Sequence, residues 1–136
     1  MDLNENSSRE EILEYIKYSP NVFLLSFSDK PWAQPYIDEA AKRAIKEYSI
    51  YFLCNFSDKP WVQPYMDEAA KILSNKDPLC FLYNFSRKPW AQPYIDDAAK
   101  EIANRNPELF LDKFADRFPN HINSALFALG SKNVAE

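Results

Sequence analysis

Residues 27–42 read FSDKPWAQPYIDEAAK, residues 56–71 read FSDKPWVQPYMDEAAK, and residues 85–100 read FSRKPWAQPYIDDAAK. Twelve of the 16 positions are identical in all three copies, and the period from Phe27 to Phe56 to Phe85 is 29 residues each time. A fourth step of 29 lands on Phe114, inside FLDKF, which matches FLYNF ending at Phe85 and FLCNF ending at Phe56. That fourth copy has lost its Trp and most of the QPY block. Self-similarity at such a period marks a repeat architecture, in which each unit lacks a core of its own and buries its apolar face against its neighbours.

Each copy reads as two helices joined by an elbow. The first helix opens at Ser19-Pro20, Asp77-Pro78 and Asn106-Pro107, a capping side chain followed by proline at the first helical position. In the second copy the equivalent pair is Tyr48-Ser49, and Ser49 is the expected cap. Proline pushes the preceding residue out of the helical region, so Lys30 and Gln34 are expected to be extended and KPWAQ to form a stiff elbow. The second helix is expected from Pro35, with Tyr36, Ile37, Ala40, Ala41, Ala44, Ile45 and Tyr48 at helical spacing. Asp38 and Lys42, Asp67 and Lys71, and Asp96 and Lys100 are i,i+4 pairs with the acidic end first.

The expected fold is therefore all-α: an αα-solenoid of about four 29-residue helix–turn–helix repeats with atypical ends. Residues 1–7 are expected to be loose and 8–130 to form one helical-repeat domain. Within it, a cap helix over 8–18 opens on the capping box Ser8-Arg9-Glu10-Glu11. The copies follow at about 19–48, 49–76, 77–105 and, degenerate, 106–130. Gly130, the only glycine, is expected to stop the last helix and leave 131–136 as a tail. The alternative makes VFLLSF, IYFLCNF and LCFLYNF strands of a β–α repeat of leucine-rich-repeat-like length. The helical pattern of PELFLDKFADR in the fourth copy favours helices. One glycine against ten prolines does too, because sheet folds draw on glycine at turns.

In general architecture the chain resembles helix–turn–helix solenoids such as tetratricopeptide or ankyrin repeats. The period is 29 instead of the roughly 33 or 34 of those families, and no functional residue carries over from them.

Composition excludes several functions. A net charge of −4 with interleaved charges argues against a nucleic-acid partner, and identical copies argue against reading single-stranded RNA base by base. No apolar run is long enough to cross a bilayer, and no signal peptide opens the chain. A cytoplasmic location is expected, with export by a route independent of a signal peptide as the alternative. His121 is the only histidine and is expected at a surface or cap position. Cys54 and Cys80 have no metal-ligand spacing and are expected to be small buried hydrophobes. Acidic pairs such as Asp38-Glu39 open helices, where the helix dipole explains them. No catalytic, cofactor-binding or metal-binding residue is expected, and no enzyme.

What remains is binding. Outside the constant block, only a Phe-Leu pair is identical over the next 13 positions. Packing accounts for a constant Trp, Tyr and proline. It gives no evident use to a constant Lys and Gln. Lys30, Lys59 and Lys88, Gln34, Gln63 and Gln92, and Trp32, Trp61 and Trp90 are the expected partner-binding residues, forming parallel ladders for a protein or extended peptide. Self-assembly through the seam between copies is the alternative.

Overall fold

The computed structural model describes residues 3–135, with the side chains of 131–135 outside the description. Among the described residues every regular element is helical. The eight α-helices are α1 (Arg9–Tyr18), α2 (Pro20–Phe27), α3 (Ile37–Phe56), α4 (Gln63–Lys76), α5 (Pro78–Phe85), α6 (Gln92–Arg105), α7 (Pro107–Lys113) and α8 (Ile122–Ala135). Short 3-10 helices at Pro31–Tyr36, Pro89–Ala91 and Pro119–His121 precede α3, α6 and α8. The β–α alternative is overturned, since all three proposed strand segments lie in α2, α3 and α5. Their Phe pairs explain why. Phe23–Phe27, Phe52–Phe56 and Phe81–Phe85 meet at ring-centroid distances of 5.6, 5.4 and 5.8 Å, a contact that i,i+4 spacing makes only on a helix.

Two compact units divide the chain, residues 1–72 and 73–136, with the boundary inside α4. In the first, α1 packs on α2 and α3, and α2 on α3. In the second, α6 packs on α5, α7 and α8, and α7 on α8. The first-unit core joins Ile16, Phe23, Leu24, Phe52, Leu53 and Phe56 to the alanines of α3 and α4. The second-unit core joins Phe81, Leu82 and Phe110 to Ala98, Ala99 and Ala103 of α6. These paired alanines are fully buried, and their small side chains let neighbouring elements approach closely. No helix among the described residues is long and apolar enough to cross a membrane.

Helix starts follow the capping chemistry closely. Ser8 and Glu11 form the complete capping box, at 3.0 and 3.1 Å. Hydrogen bonds from the Ser8 backbone and hydroxyl hold Glu11 below the usual carboxylate range. Asp77 and Asn106 accept the N–H groups of Cys80 and Leu109. Ser19 has the same backbone conformation without a side-chain cap bond. In each case the capping residue's own N–H closes the preceding helix, on Tyr15, Leu73 and Ile102. One residue thus ends one helix and starts the next.

The second copy departs here. Tyr48, not Ser49, adopts the capping conformation, with φ −143° and ψ 58°, matching Ser19. Lacking proline, the chain runs on as a single helix, kinked at Tyr48. Ser49 occupies the buried position that Pro20, Pro78 and Pro107 hold elsewhere. Ser49→Pro therefore meets a backbone that already accepts proline in three copies. It is expected to raise stability by about 0.4–1 kcal/mol by restricting the unfolded chain. A thermal melt checks this, and a lowered midpoint would mean that Ser49 makes a bond worth more than that entropy.

Both ends differ from expectation. Leu3 is buried, and residues 4–7 form a turn closed by Ser7 N–H on the Asn4 carbonyl at 3.0 Å, so order begins before the expected cap helix. Residues 1 and 2 lie outside the described residues. Gly130 does not stop α8, which continues to Ala135 through the expected tail. Its φ is not positive, so the conformation that makes glycine a helix terminator is absent.

Candidate functional site

The elbows carry the constant block, and the first three are built alike. Lys30 and Lys88 are extended, as their position before proline requires. Lys30, Lys59 and Lys88 donate backbone N–H groups to the carbonyls of Phe27, Phe56 and Phe85, and accept at their own carbonyls from Ala33, Val62 and Ala91. Gln34 is not extended. It lies within the first 3-10 helix, and its counterparts Gln63 and Gln92 open α4 and α6. The second helix accordingly starts at Ile37 in the first copy and at Gln63 and Gln92 in the next two, not uniformly at the expected Pro35 position.

The glutamines acquire an internal use that the sequence reading did not find. Gln34 Nε2 donates to the Ser28 and Lys30 carbonyls at 3.0 and 2.9 Å. Gln92 Nε2 donates to the Ser86 and Lys88 carbonyls, both at 3.0 Å. One amide therefore ties the end of the first helix to the elbow. Replacing Gln92 with alanine removes both bonds, leaving the Lys88 carbonyl its Ala91 N–H, and is expected to cost about 1–2 kcal/mol, read by urea unfolding.

The tryptophans clamp their own copies. Trp32 contacts Phe23 and Phe27 at 6.3 and 5.2 Å, Trp61 contacts Phe52 and Phe56 at 6.0 and 5.5 Å, and Trp90 contacts Phe81 and Phe85 at 6.3 and 5.2 Å. Each stays half-buried, with one face in the clamp. In the first unit, a tyrosine joins two copies instead. Tyr65 Oη donates to Asp38 Oδ1 at 3.0 Å. Burial, then the Asp38 hydrogen bond and charge, push the Tyr65 hydroxyl up to about 12. Hydrogen bonds from Lys42 and Tyr65 hold Asp38 below the usual carboxylate range.

The fourth copy makes its tie with different residues. Arg117 N–H bonds to Phe114 as Lys88 N–H does to Phe85, but it is Phe118 that precedes the proline and accepts from His121 N–H as Lys88 accepts from Ala91. The copy carries one extra residue. His121 consequently occupies the buried site of Ala33, Val62 and Ala91; it stands immediately before α8, but at 8% exposed it is not a surface residue. Its Nε2 lies 2.8 Å from Asp96 Oδ1, so that nitrogen carries the hydrogen and donates. Asn120 Nδ2 adds a second bond to the same oxygen at 3.2 Å. The Asn120 and His121 bonds together hold Asp96 low. Ion pairs Asp38–Lys42 and Asp67–Lys71 form at 3.1 Å, while Asp96 turns to His121.

Lys30, Lys59 and Lys88 are exposed, and no side-chain ion pair or hydrogen bond engages them among the described residues. In the first unit a groove of ≈530 Å³ brings together Lys30, Gln34, Lys59 and Trp61, with Leu25 and Ser28 beside them. It thus unites four expected site residues from two copies. In the second unit a groove of ≈700 Å³ includes Lys88 with Tyr83, Ser86, Arg87 and Arg117. Trp32, Gln63, Trp90 and Gln92 line neither of these grooves. Comparison with family models, curated proteins and solved structures returns no match. The elbows must be read from their own chemistry.

Sequence reasoning missed Leu25, Tyr83, Arg87 and Arg117. Arg87 had a visible signal, as the only charge reversal within the repeated block, where Asp29 and Asp58 stand in the other copies. Cys54 is exposed and Cys80 half-buried, neither in a disulfide, which corrects the expectation that both are buried. No group of three or more His, Cys, Asp or Glu side chains able to hold a metal occurs among the described residues.

Proposed function

We propose that the chain is a non-enzymatic αα-solenoid module that binds an extended peptide, or a segment of a partner protein, along its elbows. The observation that carries this reading is the first-unit groove. There Lys30 and Lys59 of two successive copies, with Asp29, line one groove together with Trp61 and Leu25. A charged rim around an aromatic and an aliphatic surface suits alternating side chains of an extended polypeptide. The Trp clamp and the Gln tie hold this surface rigid, which lowers the ordering cost of binding. An exposed free thiol at Cys54 fits a reducing, cytoplasmic compartment.

A displayed library of random peptides, selected on the full chain, tests the reading. Selected peptides are expected to shift the backbone amide resonances of Leu25, Lys30, Lys59 and Trp61. Peptides whose shifts lie on α1 or α8 instead would contradict it.

One observation favours a second reading, association between copies of the chain. Leu126 and Phe127 of α8 are 51% and 77% exposed, a large apolar surface for a final helix. Sedimentation across a concentration series decides it. A dimer lost on Phe127→Ser supports association, and a monomer at every concentration rules it out.

A further inference from the structure

We infer that the groove of the second unit accepts an acidic polypeptide segment, its carboxylates on Arg87, Lys88 and Arg117 and an apolar side chain against Tyr83. The inference rests on reading the elbow grooves as polypeptide sites and names the chemistry of one occupant.

Three observations carry it. First, the constant block reads FSDK in two copies and FSRK in the third, so Asp29 and Asp58 give way to Arg87. Second, Arg117 of the fourth-copy elbow lines the same groove, and its backbone N–H makes on Phe114 the bond that Lys88 makes on Phe85. Two successive copies therefore present a cation at the same point of the elbow, Lys88 and Arg117, with Arg87 beside the first. Third, all three cations line one groove of a chain whose net charge is −4, and none has a carboxylate partner among the described residues. The Arg117 guanidinium lies 5.3 Å over the Phe118 ring, which restricts it without neutralising it.

Gathering like charges is unfavourable unless an anion relieves it, and two guanidinium groups suit bidentate carboxylates better than a point ion. Tyr83 stands 63% exposed at the groove wall, yet its ring contacts Phe114 at 5.9 Å and so is held in place. Cations beside a fixed aromatic wall match a segment that mixes Glu or Asp with an apolar residue. A single-stranded nucleic acid is the less suited occupant, because it needs a continuous basic track with several stacking rings.

A short fluorescein-labelled peptide of Glu-Glu-Phe triplets is the probe, titrated into the full chain at low salt, with a Lys-Lys-Phe peptide and oligouridylate alongside. Binding of the acidic peptide is expected, and Arg87→Asp is expected to weaken it at least about tenfold. Aspartate is the residue that two other copies carry there, so folding should survive, and Arg117→Gln provides a second variant. Lys30→Ala with Lys59→Ala, in the other groove, should leave this affinity unchanged. The inference is overturned if Arg87→Asp and Arg117→Gln bind like the wild type, or if oligouridylate or the basic peptide binds as tightly. Loss on the Lys30 and Lys59 changes alone would move the acidic segment to the first groove and leave the elbow reading standing. Failure of every selected peptide to reach either groove would remove both.

Discussion

Replacing Phe52 with alanine is expected to destabilise the fold by about 3–5 kcal/mol and lower its melting temperature by more than about 10 °C. The ring is fully buried and lies at the centre of the second elbow clamp, 5.4 Å from Phe56 and 6.0 Å from Trp61. Truncation removes its own transfer free energy and leaves a hole beside Phe56 and Trp61. Against a total of about 5–15 kcal/mol for an ordinary domain, that is a large fraction. Denaturant unfolding followed by tryptophan fluorescence measures it. A loss below about 1 kcal/mol would mean that the clamp is not a packed core.

Trp61→Ala should act twice. The indole is only partly buried, so its removal should cost less than that of Phe52, about 2–3 kcal/mol, although the residue is larger. The same change strips the aromatic wall from the first groove and should weaken a selected peptide as well. The order of the two variants in unfolding experiments is the useful quantity. If Trp61→Ala left stability untouched while abolishing binding, the tryptophan would be a ligand surface and not a clamp.

Much of this architecture was legible in the sequence, for identifiable reasons. Ser19-Pro20, Asp77-Pro78 and Asn106-Pro107 mark helix starts because proline needs no N–H at the first helical position. Phe pairs four residues apart distinguish helix from strand. The side-chain tie of Gln34 was not legible, because it depends on two carbonyls brought together only by the shape of the elbow. The junction at Tyr48-Ser49 was legible, but the cap was assigned to Ser49 because Tyr48 has neither a capping side chain nor a proline after it. The extra residue in the fourth copy was invisible because that copy lacks the Trp and Gln that fix the register, and His121 was misplaced with it. Gly130 misled because the rule presupposes a left-handed conformation that this residue does not adopt.

The candidate site divides along the same line. Among the constant polar residues, Gln34 and Gln92 now have a structural reason to be constant. Among the described residues, Lys30, Lys59 and Lys88 make only the backbone bonds that any residue would supply at that position. Their side chains are where the constancy still asks for a partner. Arg87 extends the same logic to the one place where the repeated block changes sign.

The most direct test is calorimetric titration of a library-selected peptide into the wild type and into a variant carrying Lys30→Ala, Lys59→Ala and Lys88→Ala, with thermal melts of both proteins. Exposed lysines without ion pairs contribute little to stability, so the melting temperature should stay within about 2 °C. Affinity should fall at least about tenfold. Unchanged affinity, or a sharp fall in melting temperature, would contradict the assignment of the elbow lysines to a partner.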